Sequence, residues 1–431
     1  MTTADDTSVV TNATEAAPEA KTHQRLSRTF LLLVPFAFGF FFSHFFRVLN
    51  SVLSPRLEQD LGMDSSIVGW LSAAYFLGFA AFQAPLGLLL DRYGPARVQA
   101  VLSIVTAAAA FLFALSQTTF WLTVARGMIG LGVSGSLMAA FMVISYSCAL
   151  ERRAMVNSCF LIFGGLGAFM ATGPLNALLD VLHWREMFKV AGLALAALAV
   201  AFYLGKNAVG RVMPNIKAGN VERWPAQLNG LRYVFSTKPF WRISLLAATT
   251  LGTLWSFQGL WTALWLRDVV GYDAGRVVSV ISGMAICALL GNICIGIAAH
   301  VLGRRGVSLS RIMVSGCSGL CLVQLLLVAW PTFIPMQLWF TFSFLNGFPT
   351  LAYALLPQRY PQAMTGRVLV AINILALLFA FVLQAVFGAV VEMWRTQAGL
   401  SLSDAYRVTL TCLLFIQAAA LLHCIRRSTE S

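Results

Sequence analysis

Arg47 is a charged side chain inside a long apolar run, which makes it the first candidate for chemistry in this chain. Burying a guanidinium at membrane depth costs on the order of 3 kcal/mol or more, so such a residue usually has a function. Arg47 follows Phe45 and Phe46 and lies eight residues before Pro55. Two interpretations are open: the guanidinium faces a central cavity and captures an anion, or it reaches along the helix to the outer surface.

Two further basic side chains could face the same space. His44 precedes Arg47 by about one helical turn, so both can lie on one side of a helix. A histidine can bind and release protons near neutral pH, although a packing histidine held by a hydrogen bond is the alternative. Arg126 is a second candidate for the cavity, unless it lies near the outer mouth.

The elements that must position these residues are membrane-spanning helices. Of the 431 residues 58% are hydrophobic and only 11% are charged, whereas a soluble domain carries roughly a quarter charged residues. A membrane-spanning helix needs about 20 apolar residues, and twelve such runs are present. We number them spans 1 to 12, at about residues 29–53, 66–90, 98–116, 120–149, 157–180, 187–205, 240–266, 275–302, 309–330, 334–357, 367–393 and 405–425.

The order of these runs predicts an all-α membrane protein with two six-helix bundles. We expect a disordered cytoplasmic tail at 1–28, bundles at 29–205 and 240–425, a cytoplasmic linker at 206–239 and a short tail at 426–431. The tail at 1–28 does not read as a signal peptide, because the apolar run after it is too long.

The net charge of +13 comes from Lys and Arg in alternate links, which favours a topology signal over nucleic-acid binding. We call this side, with the loop Asp91–Arg97, the basic end; we predict that it faces the cytoplasm, as do both termini. The opposite links, the acidic end, carry Glu58, Asp60, Asp180, Glu186, Asp268, Asp273, Glu392 and Asp404.

The loop after span 2 concentrates charge and glycine between two apolar runs. Its residues are Gly87, Asp91, Arg92, Gly94, Pro95 and Arg97. Gly94 can adopt a backbone turn conformation that is unfavourable for residues with a side chain, and Pro95 can start the next helix. An ordinary charged loop is one interpretation. The spacing, however, resembles the loop between helices 2 and 3 of the major facilitator superfamily, which would make these residues gating groups and Asp91 a lock of the cytoplasmic side.

A degenerate second copy of this loop follows span 8. Gly296, His300 and Gly303 have the spacing of Gly87, Asp91 and Gly94, so the pattern predicts a turn at Gly303. His300 then takes the place of Asp91, with a structural role. Internal repeats of this kind are typical of transporters built from two related halves.

The residues around Arg47 resemble helix 1 of two branches of this superfamily, the organophosphate/phosphate antiporters and the anion/cation symporters. In both branches the matching arginine contributes to anion binding. The symporters usually have an aspartate where this chain has Phe46, and the antiporters have a second arginine where it has Trp255. The resemblance therefore implies a carboxylate or another weak anion as ligand, and not a phosphate dianion.

Polar and aromatic residues in the spans that line the superfamily's central cavity complete the candidate site. We predict substrate contacts at Arg47, His44, Tyr75, Arg126, Trp255, Gln258, Trp261, Asn373 and Gln384. Carboxylates are missing from the middle of the spans, which disfavours export of cationic drugs.

The sequence therefore predicts a secondary transporter for a small organic anion, in a bacterial inner membrane, with protons or a counter-anion as the coupled ion. We expect a monomer in the lipid bilayer that has no enzymatic activity, binds no nucleic acid and needs neither cofactor nor metal. Cys317 and Cys321 lie one turn apart and are read as packing residues. Alternatives are an exporter of amphipathic drugs or siderophore-like metabolites, and a transporter-like sensor.

Overall fold

The computed structural model describes residues 16–148, 150–213, 224–361 and 364–426, and these contain helices and loops without a β-strand. Part of the tail predicted at 1–28, residues 1–15, lies outside the described chain, as do 427–431 of the tail at 426–431. The first helix already begins at Ala16, where disorder was predicted up to residue 28. Ala, Glu, Lys and Arg dominate this stretch and favour helix, so the apolar helix extends backwards through it.

Nine helices make up the N-terminal half as described. They are α1 (Ala16–Val48), α2 (Asn50–Leu61), α3 (Ser65–Tyr93), α4 (Pro95–Leu115), α5 (Thr119–Val133), α6 (Ser136–Ser147), α7 (Leu150–Met170), α8 (Gly173–Leu179) and α9 (Trp184–Val212). Spans 1 and 5 are bent, by 51° between α1 and α2 and by 41° between α7 and α8. The bend after Val48 leaves Arg47 in the last turn of α1.

The linker and the C-terminal half are also helical where they are described. Their α-helices are α10 (Trp224–Ser236), α11 (Lys238–Ser256), α12 (Thr262–Trp265), α13 (Ala274–Arg304), α14 (Leu309–Ala329), α15 (Pro335–Phe344), α16 (Gly347–Thr350), α17 (Ala352–Leu355), α18 (Thr365–Gln397) and α19 (Leu402–Arg426). Two π-helical turns, Phe257–Trp261 and Leu266–Val270, flank α12. Much of the predicted polar linker 206–239 is therefore helix, in α9 and α10.

Eight helices in the described chain are long and apolar enough to cross a membrane, and up to ten are when each bent pair counts as one span. The protein is thus an all-α, multi-span membrane protein. The two predicted spans outside this count, 240–266 and 334–357, are helical as well. Their helices are divided by π turns or by short breaks, and no single piece is both long and apolar enough.

Glycines bring α3 and α5 into backbone contact, which sets the geometry around the candidate site. A methyl group built on Gly78 would lie 2.0 Å from the carbonyl oxygen of Gly127, and one on Gly130 would lie 2.0 Å from that of Tyr75. Real carbon atoms never approach a carbonyl so closely, so only glycine allows this packing. Tyr75 on α3 and Arg126 on α5 are held together by this contact.

The turn after α3 has the predicted conformation, whereas the turn after α13 lies three residues later than predicted. Gly94 adopts φ +83° and ψ +153°, and Pro95 opens α4. In the second half, α13 continues through Gly303, and Gly306 has the positive φ, again +83°. The helix continues because Gly303 tolerates helical geometry, and Val307 donates to the carbonyl of Leu302 to close the turn. The predicted match of His300 to Asp91 is therefore displaced by about one helical turn.

Candidate functional site

Arg47 contacts the opposite half of the molecule through Trp255. Its guanidinium carbon lies 5.4 Å from the centroid of the Trp255 ring, at the end of α11. This is within the about 6 Å over which a cation is attracted to an aromatic face. The Nε atom of Arg47 is buried and has no hydrogen-bond partner in the described part of the protein. The site therefore joins the two halves and retains an unused donor.

Two further residues of the C-terminal half complete a group that we call the Arg47 cluster: Arg47, Trp255, Tyr353 and Asn373. Tyr353 on α17 interacts electrostatically with Arg47. Its hydroxyl donates to the Oδ1 atom of Asn373 on α18, at 3.1 Å. Each of these four side chains is half-buried. The amide nitrogen of Asn373 and the guanidinium are donors, which suits an anionic ligand.

No carboxylate forms an ion pair with Arg47 within residues 16–148, 150–213, 224–361 and 364–426. A buried positive charge without a counter-charge is costly, and an anion bound beside it offsets that cost. Planar guanidinium groups bind carboxylates with two parallel hydrogen bonds. The Arg47 cluster is therefore chemically suited to an organic acid.

The other basic and aromatic candidates of the N-terminal half are used within that half. The hydroxyl of Tyr75 donates to the carbonyl oxygen of Ser43 at 2.8 Å, and its ring lies 5.3 Å from the guanidinium carbon of Arg126. Arg126 is 1% exposed and donates from Nη2 to the carbonyl of Phe46 at 2.6 Å. Both residues thus hold the end of α1 in place beside Arg47.

His44 packs against Phe40 and interacts electrostatically with Arg47. Its Nδ1 atom lies 3.3 Å from the carbonyl oxygen of Phe40, and its ring makes an edge contact with Phe40 at 4.4 Å. A methyl group on Gly164 of α7 would lie 3.0 Å from the His44 ring. In this conformation His44 fills a space between α1 and α7.

The remaining predicted contacts are buried side chains of the C-terminal half. Trp261 is 1% exposed, and its ring lies between Gly69 of α3 and Gly388 of α18, where methyl groups would be 3.3 and 2.6 Å from ring atoms. Gln384 accepts a hydrogen bond from the hydroxyl of Ser256. Gln258 is 8% exposed. The structure thus buries these three side chains, and none of them belongs to the Arg47 cluster.

The predicted gating residues lie at the basic end. Asp91, Arg92, Arg97 and His300 are exposed, and Gly87 is half-buried. The guanidinium of Arg92 lies 5.4 Å from the ring of Tyr93. These residues are close to the ends of α3, α4 and α13, whereas Arg47 lies at the internal bend of span 1.

Sequence reasoning assigned no function to an ion pair at the acidic end. Nη1 of Arg267 lies 2.9 Å from Oε2 of Glu58. This ion pair connects the π turn that follows α12 to α2. Both residues lie near the ends of apolar runs, where charge is expected, so the sequence contains no signal of their contact. Tyr353 is not among the predicted substrate contacts, because no spacing within its span distinguishes it from other polar residues.

A model of the Major Facilitator Superfamily matches residues 36–383 of this chain. Among curated proteins, the chain is 26% identical over 169 residues to a probable sulfoacetate transporter of Cupriavidus necator, covering 39% of each chain. It is 23% identical over 344 residues to a probable L-galactonate transporter of Escherichia coli, covering 69% of this chain and 74% of that one. The match thus spans only about two fifths of the sulfoacetate transporter's length.

Solved structures share the fold at low sequence identity. A bacterial homologue of the human lysosomal transporter Spinster, in an inward-facing and unoccupied conformation, has a TM-score of 0.71 at 14% identity, covering 92% of this chain and 96% of that chain. A D-xylose–proton symporter has a TM-score of 0.67 at 14% identity, covering 91% and 97%. Because the family model covers most of the sequence and the helical architecture agrees with it, this chain belongs to the Major Facilitator Superfamily.

Proposed function

We propose that this protein is a secondary active transporter that moves a small organic anion by alternating access. The observation that carries the proposal is Arg47: a half-buried guanidinium between the two halves, with an unused donor and without a carboxylate partner among the described residues. An anionic ligand would neutralise this charge and would contact both halves at once. A ligand that contacts both halves can favour one of their relative positions.

The names of three relatives support an anion as the transported solute. They include probable transporters of sulfoacetate and L-galactonate and a putative tartrate transporter of Agrobacterium vitis, which is 26% identical over 193 residues. All three named compounds are small organic anions at neutral pH. We infer the same class for this chain, with protons or a counter-anion as the coupled ion.

In the same proposal, the protein lies in a bacterial inner membrane with both termini in the cytoplasm. The distribution of Lys and Arg among the links supports this orientation. The gating role of Gly87, Asp91, Arg92, Gly94 and Arg97 is part of the proposal, because the halves must close at the basic end when the acidic end opens.

The test is uptake of radiolabelled sulfoacetate, tartrate and galactonate into proteoliposomes, with glucose as a neutral solute. We expect uptake of at least one anion, loss of that uptake in Arg47→Ala and at least a tenfold decrease in Arg47→Lys. Lysine keeps the charge but cannot form two parallel hydrogen bonds. Arg311→Ala, at an exposed arginine of α14, is the control and should transport normally. Anion uptake that survives both substitutions of Arg47 would show that the assignment is wrong.

A further inference from the structure

The C-terminal half contains a small internal cavity whose wall includes no residue of the Arg47 cluster. Thr253 of α11, Gln324 of α14 and Trp339 of α15 contribute the polar groups of this wall, and the rest of it is aliphatic or aromatic. Every residue of the wall is buried. The space that a water molecule can occupy is about 10 Å³. One water molecule needs roughly 10–15 Å³ by this measure, so the cavity is large enough for one water and no larger ligand.

A chain of hydrogen bonds leads from α11 to this cavity and fixes the orientation of its amide groups. The hydroxyl of Thr253 donates its single hydrogen to the carbonyl oxygen of Thr249 at 2.7 Å, so toward other groups it can only accept. Nε2 of Gln417 on α19 donates to this hydroxyl oxygen at 2.7 Å. Oε1 of Gln417 in turn accepts a hydrogen bond from Nε2 of Gln324 at 2.6 Å. The chain therefore ends at Oε1 of Gln324, which is an acceptor.

Two polar atoms that belong to the cavity wall have no hydrogen-bond partner among the described protein groups. They are Oε1 of Gln324, which accepts hydrogen bonds, and Nε1 of Trp339, which donates one. Gln324 is 4% exposed and Trp339 is 1% exposed, so bulk solvent does not satisfy them. A buried polar group without a hydrogen bond is costly, above all inside a membrane-spanning region. An acceptor and a donor beside one cavity are complementary to a small molecule that both donates and accepts.

We propose that this cavity is a binding site for one water molecule, which joins Gln324 of α14 to Trp339 of α15. The water oxygen accepts a hydrogen bond from the indole N–H, and one water hydrogen is donated to Oε1 of Gln324. The second hydrogen is donated to the hydroxyl oxygen of Thr253, which has two acceptor positions and uses one of them for Gln417. The water then makes three hydrogen bonds, which is the usual number for a buried water.

The bound water extends the hydrogen-bond chain into the part of this half where two spans are divided. Span 7 continues after α11 into the π turn Phe257–Trp261, and α15 is the first of the short helices that make up span 10. The water gives α15 a polar contact with α11 and α14 in addition to its apolar packing. It therefore stabilises the C-terminal half, whichever solute is transported.

The first test is a cryo-electron-microscopy map of the full-length protein in lipid nanodiscs, at a resolution that shows ordered water. We expect a density peak within hydrogen-bond distance, roughly 2.7–3.2 Å, of both Oε1 of Gln324 and Nε1 of Trp339. A cavity without such a peak, or a direct hydrogen bond between the two side chains, overturns the proposal.

A double-mutant cycle tests the same link in solution, with thermal unfolding in detergent as the measurement. Trp339→Phe removes the indole donor and keeps an aromatic ring, whereas Gln324→Leu removes the acceptor. We expect Trp339→Phe to lower the Tm of the parent protein roughly twice as much as it lowers the Tm of the Gln324→Leu variant, because in that variant the water bridge is already lost. Equal decreases in the two backgrounds overturn the proposal, because the two groups would then share no ligand.

Trp394→Phe is the matched control for this cycle. Nε1 of Trp394 is also buried without a partner in the described chain, but Trp394 lies outside the wall of the cavity. Its effect on the Tm should therefore be the same with and without Gln324→Leu, and a difference as large as that for Trp339→Phe would overturn the assignment to this cavity. The map and the Tm values do not depend on anion uptake, so this proposal and the proposed function can fail separately.

Discussion

The guanidinium carbon of Arg47 lies 5.4 Å from the ring centroid of Trp255, and the two residues belong to different halves of the protein. The ring attracts the cation through its π face and accepts no conventional hydrogen bond, so the N–H groups of the guanidinium stay available to a ligand. Nε, one of these donors, is buried and without a partner in the described residues. An anion bound there would lie directly at the interface that alternating access must rearrange.

Removing the Trp255 ring should weaken ligand binding. We expect Trp255→Ala to weaken the binding free energy of the transported anion by about 1–2 kcal/mol, which is roughly a 5- to 30-fold increase in Kd. Trp255→Phe should lose less, because a smaller aromatic face remains. Isothermal titration of purified protein measures this, with Trp330→Ala, an exposed tryptophan, as the control. Equal affinities of Trp255→Ala and the parent protein would contradict a role for the ring.

The packing of α3 on α5 should depend on the absence of a side chain at Gly130. A methyl group there would lie 2.0 Å from the Tyr75 carbonyl oxygen, so Gly130→Ala should destabilise the protein by on the order of 3 kcal/mol. Gly205→Ala on α9 is the matched control, because no atom lies within 4 Å of the added group. That control should be neutral or slightly stabilising. Thermal unfolding in detergent, followed by intrinsic fluorescence, would detect the difference; equal Tm values would contradict the close contact.

The position of the turn after α13 can be tested with two neighbouring glycines. Gly306 has φ +83°, so Gly306→Ala should strain the backbone and cost about 1–2 kcal/mol. Gly303 is helical and has open space around it, so Gly303→Ala should not lower stability. The Tm values of the two variants decide between the turn seen in the structure and the turn predicted at Gly303. A larger decrease in Tm for Gly303→Ala than for Gly306→Ala would favour the turn at Gly303.

Asp64 should stabilise the start of α3 in a pH-dependent way. Its Oδ1 atom accepts hydrogen bonds from the backbone nitrogens of Ile67 and Ser66, both at 2.9 Å. The Ile67 N–H, followed by the Ser66 hydroxyl, lowers the pKa of the Asp64 carboxyl below its usual value. Because the folded pKa is below the unfolded one, the contribution is complete above the unfolded value of about 3.9 and is lost as pH falls through the folded value.

The expected cost of Asp64→Ala near neutral pH is about 1 kcal/mol, as for other helix N-caps. Asp64→Asn keeps a cap that does not titrate, so its difference from the parent protein should shrink between pH 6 and pH 3. Thermal unfolding of the three proteins over this range measures both effects. A difference that grows as the pH falls would contradict the sign derived from the pKa.

Much of the architecture is present in the sequence because membrane insertion is decided locally. Each run of apolar residues is long enough by itself to cross the bilayer, and the loop at Gly94 and Pro95 requires no distant partner to turn. The ends of helices are harder to predict from the sequence where a span bends. The division of span 1 between α1 and α2, and the π turns beside α12, are seen only in the structure.

The sequence by itself determined that Arg47 needs a functional explanation. The cost of burying a guanidinium can be recognised from the apolar residues on either side of it. Only the tertiary structure decided what surrounds it. Trp255, Tyr353 and Asn373 come from three separate helices, and their rotation toward Arg47 is set by interhelical packing that no spacing within one helix encodes. For the same reason the pairing of Glu58 with Arg267, 209 residues apart, appeared only when the two halves were seen together.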